Sequence, residues 1–481
     1  MASSRVVRVR SARGPVAEQL EKGVRAIQQE LAVSPDFTAE VQEAAERAAA
    51  EPRLPDLDRT DLELVTIDPV GARDLDQALH VERDGKGYVV HYAIADVGAF
   101  VEPDGVIDAE AHRRGETLYG AESKVPLHPS VISEDAGSLL PDQERPALLW
   151  TIRVDETGEG TDVELERARV RSREQLDYAT AQQRIDDGSA SESLQLLKKV
   201  GELRLAREAA RGGVSLPLPE QEVEIDGEKV SLDFRSLLPV EQWNAQISLL
   251  TGFAAASLMV YARVGLLRTL PEPDPRDIKR LHRTARALGI EWPAEQLYPD
   301  FIRTLDAGKP QHAAMIVACT RLLRGSGYVA FDGEVPEDPE HAALASEYAH
   351  VTAPLRRLGD RYAGEVCLAL CAGDEVPAWV LKKLPGLPAT LRESAQRGNR
   401  YEAAVLDLVE SLLLQHRVGE SFPAVVVDID GDDRRRGTVT VEDPAIEARV
   451  TGSSDLPLGE DVTVTLASAD PAERTVRFTL G

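Results

Sequence analysis

An α+β protein with a helical N-terminal stretch and a small C-terminal β-barrel is the fold class that this 481-residue sequence predicts. Three observations lead there. Apolar residues recur at helical spacing through residues 16–50, change to short β-type runs from Leu62 to about Arg173, and return to helical spacing over most of residues 239–417. From Val418 onward, five short β-type runs separated by Gly, Pro and Asp suit a closed barrel of the OB type. Composition is that of a folded soluble chain, with 43% apolar and 28% charged residues. The resulting units are a helical extension (1–60), a large α+β core (61–417) and a β-barrel (418–481).

Each element follows from local pattern. "VAEQLEKGVRAIQQELA" spaces its apolar residues by three and four, and "TAEVQEAAERAAAE" follows Asp36 and Thr38 as candidate caps, so two helices are expected before residue 51. The acidic, twice-proline stretch "EPRLPDLDRTD" marks a boundary. After the turn-like "ERDGKG", "YVVHYAIADV" is a strand. Helices return in "LDYATAQQRIDD" and "SLQLLKKVGELRLAREAA", and a hairpin is expected in "EVEIDGEKVSLDF" around Asp226 and Gly227. Residues 249–267, "LLTGFAAASLMVYARVGLL", nearly reach bilayer-spanning length. Arg263 and the polar Thr251, Ser257 and Tyr261 make it a buried core helix instead, so no membrane partner is expected.

Cys319, Cys367 and Cys371 are too few and too oddly spaced for a disulfide framework or a paired metal site. With four arginines but no apolar run in "MASSRVVRVRSARG", a secretory signal is not expected, and the cytoplasm is the expected compartment for a chain that is more simply a monomer. The net charge of −27 opposes polyanion binding overall. Arginines nevertheless cluster in "VRVRSAR", "RARVRSR" (167–173), "PLRRLGDR" (354–361) and "DDRRRGT" (432–438), so a basic channel within an acidic shell reconciles the two.

The sharpest feature is "TIDPVGARDLDQALHV", with Asp68, Asp74 and Asp76 inside nine residues. In a strand Asp74 and Asp76 project to one face while Leu75 turns to the core, and Asp68 folds back across the Pro69–Gly71 turn. Three carboxylates in one pocket raise each other's pKa unless a cation offsets them, and hard divalent ions prefer such oxygens. The implied chemistry is metal-assisted phosphodiester hydrolysis with Mg²⁺, or Mn²⁺ in its place.

The surrounding motifs carry a resemblance. "IDPVGARDLDQAL", "YAIADVGAFV", "RRGETLYGAESKVPLHPSVIS", "SLLPDQERPALLW" and, much later, "EYAHVTAPLRRLGD" occur in order across roughly residues 60–415 and resemble the catalytic (RNB-type) domain of the ribonuclease II and ribonuclease R family. The resemblance implies a Mg²⁺-dependent exoribonuclease that degrades single-stranded RNA from the 3′ end to nucleoside 5′-monophosphates. It assigns Asp68, Asp74 and Asp76 to the metal site, with Asp76 the most critical for activity, and Gln77 to the fourth position of that site. Arg356, with Arg357 beside it, falls where the family grips the phosphate at the cleavage point. Tyr119 aligns with an aromatic that stacks on the terminal base, Glu241 with a glutamate that contacts ribose, and Glu402 with a glutamate near the active site.

Several positions depart from the family pattern. Gln77 replaces a fourth aspartate and supplies no negative charge, while Ala353 and Leu358 replace a serine and a tyrosine. Only Phe422 and Phe478 are aromatic after Val418, so the C-terminal barrel is expected to bind RNA weakly through Arg434, Arg435 and Arg436, or to act as a lid. Two alternatives stay open: a member that binds RNA without turnover, and a nuclease of short oligoribonucleotides only.

Overall fold

The computed structural model describes residues 7–9, 14–120, 124–216, 220–226, 229–235, 237–306, 309–441, 443–444 and 446–481. Strand β1 (Val7–Val9) precedes helices α1 (Pro15–Glu30) and α2 (Ala39–Ala50). Five strands then close a first barrel: β2 (Leu64–Asp68), β3 (Gln77–Asp84), β4 (Gly87–Ala95), and, after α3 (Val106–Arg114) and the short pair β5 (Leu118–Tyr119) and β6 (Lys124–Val125), β7 (Glu144–Val154) and β8 (Gly160–Asp177). Neighbours run antiparallel except where β2 closes on β8 in parallel. Helices α4 (Tyr178–Asp187) and α5 (Glu192–Arg211) follow, then the expected hairpin of β9 (Glu220–Asp226) and β10 (Lys229–Arg235), whose tip lies outside the described residues. β1 pairs with β9 in parallel.

Helix α6 (Pro239–Ala262) ends earlier than its apolar run. Arg263 adopts a left-handed conformation (φ 60°), and the chain leaves as strand β11 (Val264–Thr269), which pairs with β12 (Gly327–Asp332). The expectation of one helix through residue 267 is therefore corrected: its last turn is a strand, because β12 supplies backbone partners that a helix cannot use. Between those strands stand α7 (Pro275–Ala287), α8 (Tyr298–Arg303) and α9 (Pro310–Cys319). The small pair β13 (Glu340–His341) and β14 (Ser346–Glu347) leads to α10 (Leu358–Ala372), α11 (Ala378–Lys383) and α12 (Leu387–Leu414). The C-terminal strands β15 (Ser421–Ile429), β16 (Arg436–Val441), β17 (Ile446–Gly452), β18 (Asp461–Asp470) and β19 (Thr475–Leu480) close a second barrel in the order β15-β16-β17-β19-β18, as expected of an OB-type barrel.

The N-terminal helices do not stand apart as a separate unit. Val16, Leu20, Val24 and Ile27 of α1 pack with Tyr401, Val405 and Leu408 of α12 in a core shared with the second barrel. Each such side chain contributes about 1.5–3 kcal/mol on burial, enough to seat a helix whose N-terminus no side chain caps. Thr38 caps α2, accepting from the Val41 N–H at 3.4 Å. The main core joins the first barrel to α4, α5, α6 and α10, with Trp150, Tyr92 and Tyr362 wholly buried. Of the described helices α6 is the one long and apolar enough to cross a membrane, and half of that stretch is buried in this core. All three cysteines are free.

Candidate active site

The acidic segment is shaped by one turn and one buried leucine. Asp68 ends β2 beside Asp177 of β8, and Gly71, at φ 79°, reverses the chain in a conformation that L side chains resist. Residues 72–76 then follow no regular secondary structure, so Asp74 and Asp76 precede β3 rather than lying in a strand as expected. The alternation survives because Leu75 is fully buried, its N–H donating to Ser138 Oγ (3.0 Å) and its carbonyl accepting from the Leu139 N–H (3.0 Å). With Leu75 anchored inward, its two neighbours turn to the other side.

The arginine segment meets them from 280 positions away. Asp76 Oδ1 accepts the Leu355 N–H at 2.8 Å, and Arg356 Nε lies 3.4 Å from Asp76 Oδ2. Asp76 is 5% exposed, whereas the Arg356 side chain is 43% exposed. One end of the pair is thus sealed and the other open. Asp360 holds the same segment in shape, accepting the Ala353 N–H (2.8 Å) and clamping Arg357 through Nη2 (2.7 Å) and Nε (3.0 Å). Glu116 bridges Arg357 in antiparallel fashion and the Thr117 N–H donates to the Arg356 carbonyl at 2.9 Å. This pairing carries Tyr119 alongside Arg356, with 38% of its surface exposed and its hydroxyl within electrostatic reach of Arg356, Asp74 and Asp76.

Burial pushes Asp76 up to about 7, against the pull of Arg356 and the Leu355 N–H, with Asp74 adding to the rise. Asp68 is raised to about 6 for the same first reason, partly offset by the Thr66 hydroxyl and Arg356. Lys124 Nζ stands 3.2 Å from Asp74 Oδ2 and 2.6 Å from Glu134 Oε1. Among the described residues no three acidic, histidine or cysteine side chains gather closely enough to hold a metal ion by themselves. Asp68 Oδ2, however, is buried without a hydrogen-bond partner. Desolvated, under-neutralised carboxylates with an orphaned oxygen fit a hard divalent cation, which commonly takes one or two protein carboxylates and completes its shell with water and phosphate. One or two of Asp68, Asp74 and Asp76, rather than all three as one set, therefore suit such an ion, with water and phosphate completing its shell.

Gln77 does not join them. Its Nε2 donates to the Thr352 carbonyl at 2.7 Å, and its Oε1 accepts from the Tyr92 hydroxyl at 2.6 Å, with Ser248 Oγ 2.7 Å from the same hydroxyl. The expected metal-ligand role is corrected accordingly: both ends of the amide tie the first barrel and α6 to the segment bearing Arg356. A Gln77→Asp variant loses the donor and sets a carboxylate against a carbonyl, so a stability loss of about 1–3 kcal/mol is expected, with no tighter Mg²⁺ binding. Chemical denaturation and Mg²⁺ calorimetry check both, and an unchanged midpoint with tighter binding overturns the reading.

Two other expected residues flank this cluster. Glu402, on α12, is raised to about 7 by burial and then by the charge of Glu116. It lies within electrostatic reach of Glu116, and among the described residues no contact joins it to Asp76. Glu241 caps its own helix, accepting the Leu238 N–H at 2.9 Å, about 10 Å along α6 from Ser248 at 1.5 Å per residue. Leu358 is buried in the main core, 1% exposed, where a polar tip has no place. Sequence reasoning missed Lys124, Glu116 and Asp360, although "ESK", "GET" and "RRLGD" sit within the motifs it used.

Among the described residues the arginine clusters are mostly neutralised by local carboxylates rather than joined in one basic channel. On β8, Arg167 binds Asp96 (2.6 Å) and Glu365 (2.5 Å), and Arg169 and Arg171 pair with Glu144. Arg361 is buried against Asp108 at 2.6 Å. In the second barrel Arg434 pairs with Asp455, and Arg435 and Arg436 pair with Asp433. Most of "VRVRSAR" lies outside the described residues.

Comparison with known proteins places this geometry. The chain is 29% identical over 352 residues to the "Probable exosome complex exonuclease RRP44" of Caenorhabditis elegans, covering 69% of this chain and 36% of that protein. It is 27% identical over 407 residues to "Ribonuclease R" of Escherichia coli, covering 78% of this chain and 49% of that protein. The chain thus spans between a third and a half of these relatives' lengths. The solved structure of Mycoplasma genitalium RNase R in complex with ribose methylated single-stranded RNA has the same fold, with a TM-score of 0.84, 19% identity, and coverage of 97% of this chain and 78% of that one. The RNase II-type exonuclease C-terminal S1 domain matches residues 420–481, the second barrel. The RNB domain matches residues 57–369, well over half of the chain, so this protein belongs to the RNB-domain family.

Proposed function

We propose that this protein hydrolyses single-stranded RNA from its 3′ end, releasing nucleoside 5′-monophosphates, and that it does so with Mg²⁺ in the cytoplasm. The observation that carries this reading is the half-open guanidinium of Arg356 held 3.4 Å from the sealed carboxylate of Asp76. Relatives named as exonucleases and ribonuclease R support it. Arg356 offers two parallel N–H donors to the non-bridging phosphate oxygens, and its charge offsets the negative charge that builds as the bond breaks. Asp76 fixes the direction of that guanidinium and, through the Leu355 N–H, the backbone that carries it. Tyr119 presents an exposed ring that accepts any terminal base, since every base has a π-face. One or two of the carboxylates Asp68, Asp74 and Asp76 would hold a divalent ion, which when bound neutralises phosphate charge and lowers the pKa of a coordinated water. Lys124 competes for Asp74 and must yield it when an ion binds.

The test is incubation of end-labelled single-stranded RNA with the protein, with and without Mg²⁺. A ladder receding from the 3′ end only with Mg²⁺ supports the proposal. Retention without shortening favours the binding-only alternative, which the Lys124–Asp74 pair recommends. Degradation of very short substrates alone favours the third.

The ion site has a readout that needs no turnover. Asp68 and Asp76 are held above the ordinary carboxylate range, so between about pH 4 and pH 7 the folded state keeps protons that the unfolded state releases. Their contribution to stability therefore falls as pH rises through that window. An ion that binds the ionised carboxylates removes the penalty, so Mg²⁺ is expected to raise the melting temperature more at pH 8 than at pH 5. Equal shifts at both pH values would remove these groups from the site.

A further inference from the structure

The geometry points to a second RNA-contacting surface on the outer face of α7, which would guide the upstream part of a single strand whose 3′ end lies in the site proposed above. In the sequence "PRDIKRLHRTARA", Arg276, Lys279, Arg283 and Arg286 recur at spacings of three, four and three, so they form one stripe. All four are exposed. The stripe rises about 15 Å along the helix axis at 1.5 Å per residue, with charges about 5 Å apart. The opposite face fixes this orientation: Leu281, Ala285 and Leu288 are buried with Phe301 and Ile316, and with Val425 and Val427 of the second barrel.

Such a stripe is unfavourable within the chain itself. Like charges at three and four residues apart repel, by roughly 0.2–0.5 kcal/mol per pair. Asp277 is the one acidic residue of the helix, and of the four stripe residues Arg276 alone has a carboxylate partner among the described residues, Asp274 at 3.4 Å. Among the described residues Lys279, Arg283 and Arg286 have no carboxylate within ion-pair distance, in a chain with 82 acidic residues against 55 basic ones. The excess continues at the junction with the second barrel. Arg280 and Arg321 both converge on Asp428, at 2.9 and 3.4 Å, and Arg324 is exposed beside them. Two residues on, Ser326 accepts from the buried Arg268, whose guanidinium covers the Tyr328 ring near His350, so this junction adjoins the interior that carries Arg357.

An aromatic stack braces the helix that carries the stripe. Trp292, half-buried, stacks between His282 of α7 (3.9 Å) and Phe301 (4.0 Å). Evenly spaced cations, three of them without a carboxylate partner among the described residues, suit a phosphate backbone. An acidic protein segment would more commonly find apolar anchors among the charges, and the stripe contains none.

Poly(A) and a tetranucleotide separate the possibilities, using the full chain and the triple charge-neutral variant Lys279→Gln, Arg283→Gln, Arg286→Gln. Exposed substitutions of this kind leave folding within about 0.5 kcal/mol, which a denaturation midpoint checks. The variant is expected to bind poly(A) about tenfold more weakly or worse, and its slope of log affinity against log salt should be shallower by about 2 for three lost phosphate contacts. Its kcat/KM on the tetranucleotide should stay within twofold of the parent. Unchanged poly(A) affinity and salt slope would overturn the proposal and leave the stripe a solvated face or a protein-docking surface. A parent protein that binds poly(A) through the stripe but cleaves neither substrate would instead overturn the exonuclease reading while sustaining this one.

Discussion

Replacing Asp76 by asparagine is expected to lower RNA hydrolysis by a factor of about 10²–10³ or more, while RNA binding and folding persist. The two carboxylate oxygens do different things. Oδ1 accepts the Leu355 N–H at 2.8 Å, and an asparagine carbonyl does the same. Oδ2 faces Arg356 Nε at 3.4 Å, and there an asparagine presents N–H against N–H. The variant therefore keeps the backbone tie but loses the negative charge that orients the guanidinium and would face a divalent ion. Stability should suffer little at pH 8, because a neutral amide avoids the desolvation that raises the Asp76 carboxyl to about 7. Release of labelled monophosphate, fluorescence anisotropy on single-stranded RNA and a denaturation midpoint check the three parts. A variant that still turns over within tenfold of the parent would take Asp76 out of the chemistry.

How much of this site could be seen in the sequence depends on how local each determinant is. Asp68, Asp74, Asp76 and Arg356 were legible because their chemistry is carried by residue type and short spacing. The alternation of Asp74 and Asp76 was legible even though no strand forms, since any extended backbone sends successive side chains to opposite sides and Leu75 is apolar enough to choose the core. Gln77 was misplaced because its partners, Thr352, Tyr92 and Ser248, lie up to 275 positions away, and nothing near residue 77 distinguishes a ligand from a tie. Arginine runs were ambiguous for a similar reason. "RARVRSR" looks like a patch for polyanions until Asp96, Glu144 and Glu365 arrive from other elements to neutralise it. The β11 strand was hidden because "VGLLRT" continues an apolar helical run, and the left-handed residue that ends the helix is Arg263 rather than a glycine.

Arg356→Lys and Arg356→Ala should both lower kcat, by about 10²–10³, and the lysine should not rescue. A lysine keeps the charge but not the planar fork, so it cannot hold Asp76 with one edge while offering two parallel donors to phosphate with the other. KM for a long RNA should change less than kcat, because contacts remote from the cleavage point supply much of the binding. The more discriminating consequence is for Asp76. The Arg356 charge now pulls that carboxyl down against burial, so in Arg356→Ala the carboxyl rises above about 7 and ionises only at higher pH. If the ionised form is the working one, residual activity falls away at a higher pH as the solution is acidified, and the acid limb of the pH–rate profile moves to the right. A purely structural arginine would slow the enzyme or unfold it without moving that limb, so a profile of unchanged position in Arg356→Ala would separate Arg356 from Asp76 as a functional pair.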